Sequence, residues 1–376
     1  FISLLTAPFR IVALDDIQDE TFDTFVQAKG IHDVRAVRDA VERKDAWSMT
    51  TRPQDLSELV HFWLERGQIG SRLELYESSI GRRLLERDQK RSHAQPISKD
   101  RLYLGAQLLA AATTLGRQQN IRVPDGENNS QGISAVDVLT DWNDNDISAL
   151  LNRPIFDESI YGTVRFHHGE VRELLTAKWF HNLLKKQASR SQVEGLIFKF
   201  QYGVEVIIPT LRSVLPWLIL FDDKILERVC RIAPEIVFEG GDPESLRTET
   251  RRKILRLICE QISQPAHGRS MMDYQALQRF ANEDLAEDIK ALLFQYREDE
   301  DITWFLARMV WHGQIKELAS EMIMLALDVK CEKHARKAAI RALSEVGSDA
   351  DIEDVRQCLL AQEIPISREW LLELVP

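Results

Sequence analysis

At 376 residues, with 44% apolar and 28% charged side chains, the chain has the balance of a folded protein and the length of two or three domains. Lys and Arg number 48 against 59 Asp and Glu, a net charge of −11, which argues against nonspecific binding to nucleic acid or an anionic membrane. No apolar run approaches the roughly 20 residues that span a bilayer, and the four cysteines (Cys230, Cys259, Cys331, Cys358) form no CxxC, a pattern of buried thiols in a reducing cytoplasm rather than a disulfide frame or zinc site.

The opening FISLLTAPF has no basic start and no cleavage site, so it does not read as a signal peptide. It lacks an initiator Met, and the helical pattern runs on into LLELVP, so both ends are expected to be cut from something larger. Phe9 to Leu14 is a short strand candidate. From about Asp19 the period becomes helical, and Gly30 is placed as a left-handed residue closing that helix. Helices follow at about 33–44, 54–66 and 70–88, with Pro53 at the start of the second, where its missing N–H costs nothing. The polar stretch 88–100 reads as a linker.

Residues 101–187 read as a second unit. An apolar helix (101–116) precedes a strand near 121–123, the polar loop DGENNSQG, and short helices at 134–141 and 144–152. Strand-like runs at 154–158 and 161–167 flank a hairpin turn, and a long helix at 169–187 closes the unit. Helices, a tight turn and a β-wing in this order describe a winged helix. From about 190 the pattern is nearly all helix, in pairs such as 205–220 with 222–232, 284–297 with 301–312, and 333–346 with 350–361. A spacing near 40 residues suggests a HEAT-like α-solenoid. The expected class is therefore mainly α: a helical domain (1–90), a winged-helix domain (91–188) and a helical-repeat region (189–376).

No GxxxxGK[ST], GxGxxG, GxSxG or HExxH motif occurs, so no self-contained catalytic site is found. His167, His168 and Glu170 invite a metal reading, but adjacent histidines at a strand-to-helix junction are expected to diverge. The helix that would read DNA runs Asn143-Asp144-Asn145-Asp146-Ile147-Ser148-Ala149, behind Asp137 and Asp141, and its carboxylates would repel phosphate. GGDPESL (240–246) reads as a helix start, with Asp242 as N-cap and Pro243 at the first helical position. TVRFHHGEVRELLTA (163–177) joins a β run to an amphipathic helix with His168 at the seam, where outward N–H groups suit an anion.

Within it, Phe166, His168, Glu173 and Ala177 fall in register with FxHxxxxEfxaA, the winged-helix signature of NACHT-type STAND NTPases, which the chain resembles. Arg52-Pro53-Gln54-Asp55-Leu56 looks like the proline-bearing segment of that family's first helical domain. Leu59, Trp63, Ile69-Gly70-Ser71-Arg72 and Leu75-Tyr76 have the look of bacterial, antiviral (Avs-like) members. FRIVAL resembles the exit from the NTPase core. The resemblance covers residues 1–190. It implies that His168 contacts the β-phosphate of bound ADP in the resting state and that Pro53 packs near the adenine. ADP or ATP with magnesium would be held by an upstream NTPase core that this chain does not contain. It also implies that the helical region senses a protein ligand such as a phage component, and that activation brings self-association in the cytoplasm. The rival readings are a HEAT-like interaction scaffold without nucleotide and a winged-helix regulator.

Overall fold

The computed structural model describes residues 17–44, 46–85, 97–124, 131–159, 162–264 and 274–361. The strand expected at 9–14, most of the linker at 88–100, the polar loop at 125–130, two residues of the turn at 160–162 and the stretch from 362 onward lie outside them. The chain is mainly helical with small sheets, in two compact units that divide after Gly70. Among the described residues no helix is long and apolar enough to cross a membrane.

The first unit holds α1 (Asp19–Ala28), α2 (Val34–Arg43) and α3 (Pro53–Arg66). Gly30 at φ +88° closes α1 as expected, and the Asp33 carboxylate accepts from the Ala36 N–H to start α2. Phe22, Val26, Val37, Val41, Leu56 and Leu59 form its buried core. Arg38 covers this core, its guanidinium 5.1 Å from the Phe22 ring centre and 2.7 Å from Asp23.

The second unit begins with α4 (Arg72–Leu84), opened by a reciprocal Ser71–Glu74 capping box. Then come α5 (Lys99–Leu115), β1 (Ile121–Arg122), β2 (Ile133–Ser134), α6 (Ala135–Val138), α7 (Asp144–Leu151), β3 (Phe156–Glu158), β4 (Thr163–Phe166) and α8 (Gly169–Leu184). The sheet order is β2-β1-β4-β3. β1 runs parallel to β2 and antiparallel to β4, and β3 pairs antiparallel with β4 through Phe156 opposite Phe166. Small side chains on α5 (Ala106, Ala110) and α8 (Ala177) let these helices pack closely, with Leu109, Leu174 and Leu175 buried beside them.

The helix expected at 205–220 is not formed. After α9 (Gln187–Ile197), β5 (Phe198–Gln201) and β6 (Val204–Ile207) make an antiparallel hairpin, followed by a 3-10 turn at Pro209–Val214 and the one-turn helix α10 (Leu215–Leu218). The cause is local. Tyr202 and Gly203 take left-handed φ values of +51° and +83°, the geometry of a two-residue hairpin loop, and the β-branched Val204, Val206 and Ile207 favour the strand that follows. The remaining helices are α11 (Asp223–Ile232), α12 (Thr248–Ile262), α13 (Tyr274–Phe280), α14 (Ala286–Gln295), α15 (Glu300–Gly313), α16 (Ala319–Leu327), α17 (Lys333–Val346) and α18 (Asp349–Ala361). Along α17, Ala335, Ala338, Ala339 and Ala342 are buried, a face of small side chains that lets the helix pack closely.

A chain of ion pairs fixes the hairpin's base: Arg190 meets Asp222 at 2.6 Å, and Arg228 bridges Glu194 at 2.9 Å and Glu205. Asp222 also caps α11 by accepting from the Ile225 N–H at 3.1 Å. Burial alone would raise the Asp222 carboxyl, but the Arg190 fork and the cap outweigh it and hold the group below its usual range. Asp222→Ala, which removes the cap and strands part of the Arg190 charge, should cost on the order of 2–3 kcal/mol in urea unfolding at neutral pH. A depressed carboxyl stabilises above its unfolded pKa and loses that contribution as pH falls through its folded value. The gap between wild type and variant should therefore close below about pH 4; a gap that is constant with pH counts against the pair.

Candidate functional site

The seam between β4 and α8 is built from both faces of β4. Phe166 ends the strand with its ring buried against Phe156, 4.8 Å between centres, which anchors the backbone just before the histidines. The His167 N–H donates to the Ile155 carbonyl at 3.0 Å, and its Nδ1 lies 2.8 Å from the Asp157 carboxylate, a contact that orients the ring. His168 follows in extended conformation (φ −123°, ψ 138°) as the N-cap of α8, and its own side chain makes no capping hydrogen bond. The two imidazoles do not diverge as expected. Their ring centres are 4.3 Å apart at 68°, because the turn from strand into helix folds the second ring back onto the first.

In the first turn of α8, Glu170 is gripped by α4. Arg72 Nη2 donates to its Oε1 at 2.6 Å, and the Tyr76 hydroxyl donates to Oε2. Arg72 is 6% exposed. Its Nη1 also donates to the Gly241 carbonyl at 3.2 Å, while the Leu73 N–H donates to the Asp242 carboxylate at 2.9 Å. The Tyr76 ring stands edge-on to Trp217 at 5.6 Å. GGDPESL is thus more than a helix start. Pro243–Ser245 forms only a 3-10 turn, and the Asp242 side chain caps α4 across 169 residues of sequence. Gly241 (φ +66°) is required there, since a Cβ would lie 2.2 Å from the Pro216 carbonyl oxygen.

Glu173 sits on the next turn, half-buried. Burial pushes its carboxyl up to about 7, against the lowering effect of the Ser213 hydroxyl, with the nearby Glu170 charge adding to the rise. Ala177 is fully buried against the core. The four residues singled out in the sequence therefore occupy one continuous stretch: Phe166 and Ala177 as anchors, His168 at the helix start, Glu173 on the flank. Pro53 stands at the first position of α3 in the first unit, behind an extended Arg52. The carboxylates of α7 line its outer side. Asp144 is exposed and Asp146 is 3.6 Å from Arg101, while Ile147, Leu150 and Leu151 face inward.

Sequence reasoning missed Arg72, Tyr76, Asp157 and Asp242 as members of this seam. The partners are separated by 94 to 169 residues in three of those contacts, and no local pattern pairs them. Of the cysteines, Cys230 and Cys259 are buried, Cys331 is half-buried and Cys358 exposed, so burial holds for two of the four.

Because the folded chain keeps the Glu173 proton to about 7, against 4.5 for an ordinary glutamate, folding takes up protons between those values. That contribution is present in full below the unfolded pKa and lost as pH rises through the folded one. Glu173→Gln stays neutral throughout. Its stability advantage over wild type should grow from near zero at about pH 4 to on the order of 2 kcal/mol at about pH 8. Melting curves at both ends of that range check it, and an advantage equal at both pH values argues against the raised carboxyl.

A comparison with known protein families finds no match for this chain, and no curated protein matches it.

Proposed function

We propose that the chain is the regulatory arm of a NACHT-type STAND NTPase, in which His168 holds the terminal phosphate of bound ADP and the helical region beyond 189 receives a protein ligand. The observation that carries this is the setting of His168. An imidazole that does not itself cap the helix stands at the N-cap of 16 helical residues, where the helix dipole and outward N–H groups favour an anion. The element order α5, strand pair, α6, α7, antiparallel pair, α8 supports the winged-helix reading of 91–188. The helix pairs from α14 to α18 support the repeat reading of the sensor.

Within the second unit, two carboxylates beside the seam are engaged by other side chains. The Asp157 carboxylate is taken up by His167, and that of Glu170 by Arg72 and Tyr76, so neither faces the seam as an unbalanced anion. Bound ADP would supply the anionic terminal phosphate, and His168 would donate to it. Phe166 and the Glu170 grip fix the strand end and the helix start on either side of that imidazole. Pro53, with its fixed φ at the start of α3, takes the adenine-packing role the resemblance implies. Magnesium and the remaining phosphate contacts belong to the nucleotide-binding core that the family carries upstream. A ligand that binds one of two arrangements of such a switch more tightly shifts their populations by that difference alone. On this reading the work is switching and recognition, in bacterial antiviral defence, with self-association on release of the resting state.

A helical-repeat scaffold without nucleotide is the second reading, favoured by the alanine-lined packing of α17. The two part on one measurement. In the full-length protein, His168→Ala should raise the ADP dissociation rate about tenfold or more, the worth of one charge-assisted hydrogen bond, and raise basal activity. Co-purifying ADP is quantified after rapid filtration. Unchanged ADP content with unchanged basal activity, in a variant that melts like wild type, sinks the nucleotide reading.

A further inference from the structure

Two exposed apolar features of the second unit complement each other in shape and charge. The first is the tip of the β5–β6 hairpin. Its base is fixed: Phe198 is buried, and the Arg228 guanidinium lies 4.1 Å from its ring centre while binding Glu205. The tip is bare. Phe200 is 75% exposed and Val204 58%, and Tyr202 is fully exposed on a turn whose left-handed φ of +51° holds the ring outward. Lys199, next to Phe200, is exposed and makes no ion pair among the described residues.

The second feature is a hollow of about 330 Å³ between α14 and α16. Leu293, Phe294, Met324 and Leu325 wall it, and the Lys290–Glu321 pair at 2.7 Å borders it. Phe294 is 77% exposed and Met324 65%, so the wall itself waits to be covered. At Arg297 the hollow meets the turn into α15, where Glu298, the α15 cap Asp299, Glu300 and Asp301 follow one another in sequence. Phe200, Tyr202 and Phe294 are the strongly exposed phenyl and phenol rings among the described residues, and they divide between these two places.

We propose that the hairpin tip of one copy of this chain docks into the α14–α16 hollow of a second copy, head to tail. The geometry fits: a narrow, rigid, aromatic projection meets an apolar concavity of side-chain size, and the flexible Met324 can close over a ring. The charges fit as well, because Lys199 beside the tip meets the acidic loop beside the hollow. The two surfaces lie on different parts of the same chain, so the contact is heterologous and each added copy still offers one free tip and one free hollow. The inference uses residues 198–207 and 286–331 alone. It does not depend on the nucleotide reading, and either can fail without the other.

Sedimentation velocity on the 376-residue chain tests it. The sedimentation coefficient of wild type should rise with concentration. The double variant Phe200→Ser/Tyr202→Asp and the single variant Phe294→Asp, each folded by circular dichroism, should stay monomeric. Mixed in equal amounts they should form a complex that stops at two chains, since one keeps its hollow and the other its tip. Lys199→Glu should raise the dissociation constant about tenfold, and Glu298→Lys added to it should recover most of that loss. The proposal is overturned by a wild type that remains monomeric at its solubility limit, by variants that associate like wild type, or by a mixture that stays monomeric or grows past two chains.

Discussion

The second unit depends on buried guanidinium groups that donate across element boundaries to carbonyls at or near the ends of other segments. Arg72 is the central case, with one nitrogen on the Gly241 carbonyl and another on Glu170. Others repeat the device: Arg83 reaches the Pro154 carbonyl at 3.1 Å, Arg251 that of Phe280 at the end of α13, and Arg336 that of Ala326 near the end of α16, while the half-buried Arg279 donates likewise to the Phe238 carbonyl. Each helix leaves its last carbonyls without intrahelical partners. Arginine suits the task because its planar fork serves a carbonyl and a carboxylate at once and its charge is not lost on burial. A guanidinium taken out of water is stabilised only while its partners stay in place, so each contact fixes the distance between the two segments it joins.

The seam at His168 inherits its geometry from this arrangement. α8 starts where it does because Phe166 is pinned on one side and Glu170 on the other, leaving His168 a short extended link between two fixed points. The same grip reaches the 240–242 loop through Arg72 and Leu73, so the helix start beside His168 and a loop far along the chain share one buried side chain. Gly241 makes this possible, since any Cβ there would force the loop off Pro216 and lift its carbonyl away from Arg72.

Much of this architecture was legible in the sequence. The helical period, with Pro53 for α3, placed α2, α3, α15 and α17 closely, because these signals act within a few residues of the helices they shape. The stretch 205–220 failed because Val, Ile and Leu satisfy a helical period as readily as a strand. The deciding residues were Tyr202 and Gly203, whose backbone sign no periodicity reveals. At the seam, His168, Phe166, Glu173 and Ala177 were visible because they lie within one local run. The partners that hold the run, Arg72, Tyr76 and Asp242, were not, since nothing in GGDPESL announces that its carboxylate caps a helix 169 residues earlier. The folding back of His168 onto His167 was missed for a related reason: adjacent side chains diverge along a strand, but not where a strand turns into a helix.

These observations bear on how such a unit can respond as a whole. In a regular solenoid each repeat contacts only its neighbours, and a disturbance decays over one or two repeats. Here the helix order is interrupted by a hairpin and several 3-10 turns, and long-range contacts do what regular stacking would do elsewhere. A displacement of residues 240–242 acts on the Arg72 fork, which holds the Gly241 carbonyl and Glu170 together, and loss of either contact costs a buried guanidinium one of its partners. Such a contact has two arrangements, made or broken, with little between them. On the proposed reading, that discreteness, rather than softness of the fold, is the property through which a ligand on the helical region would reach the start of α8.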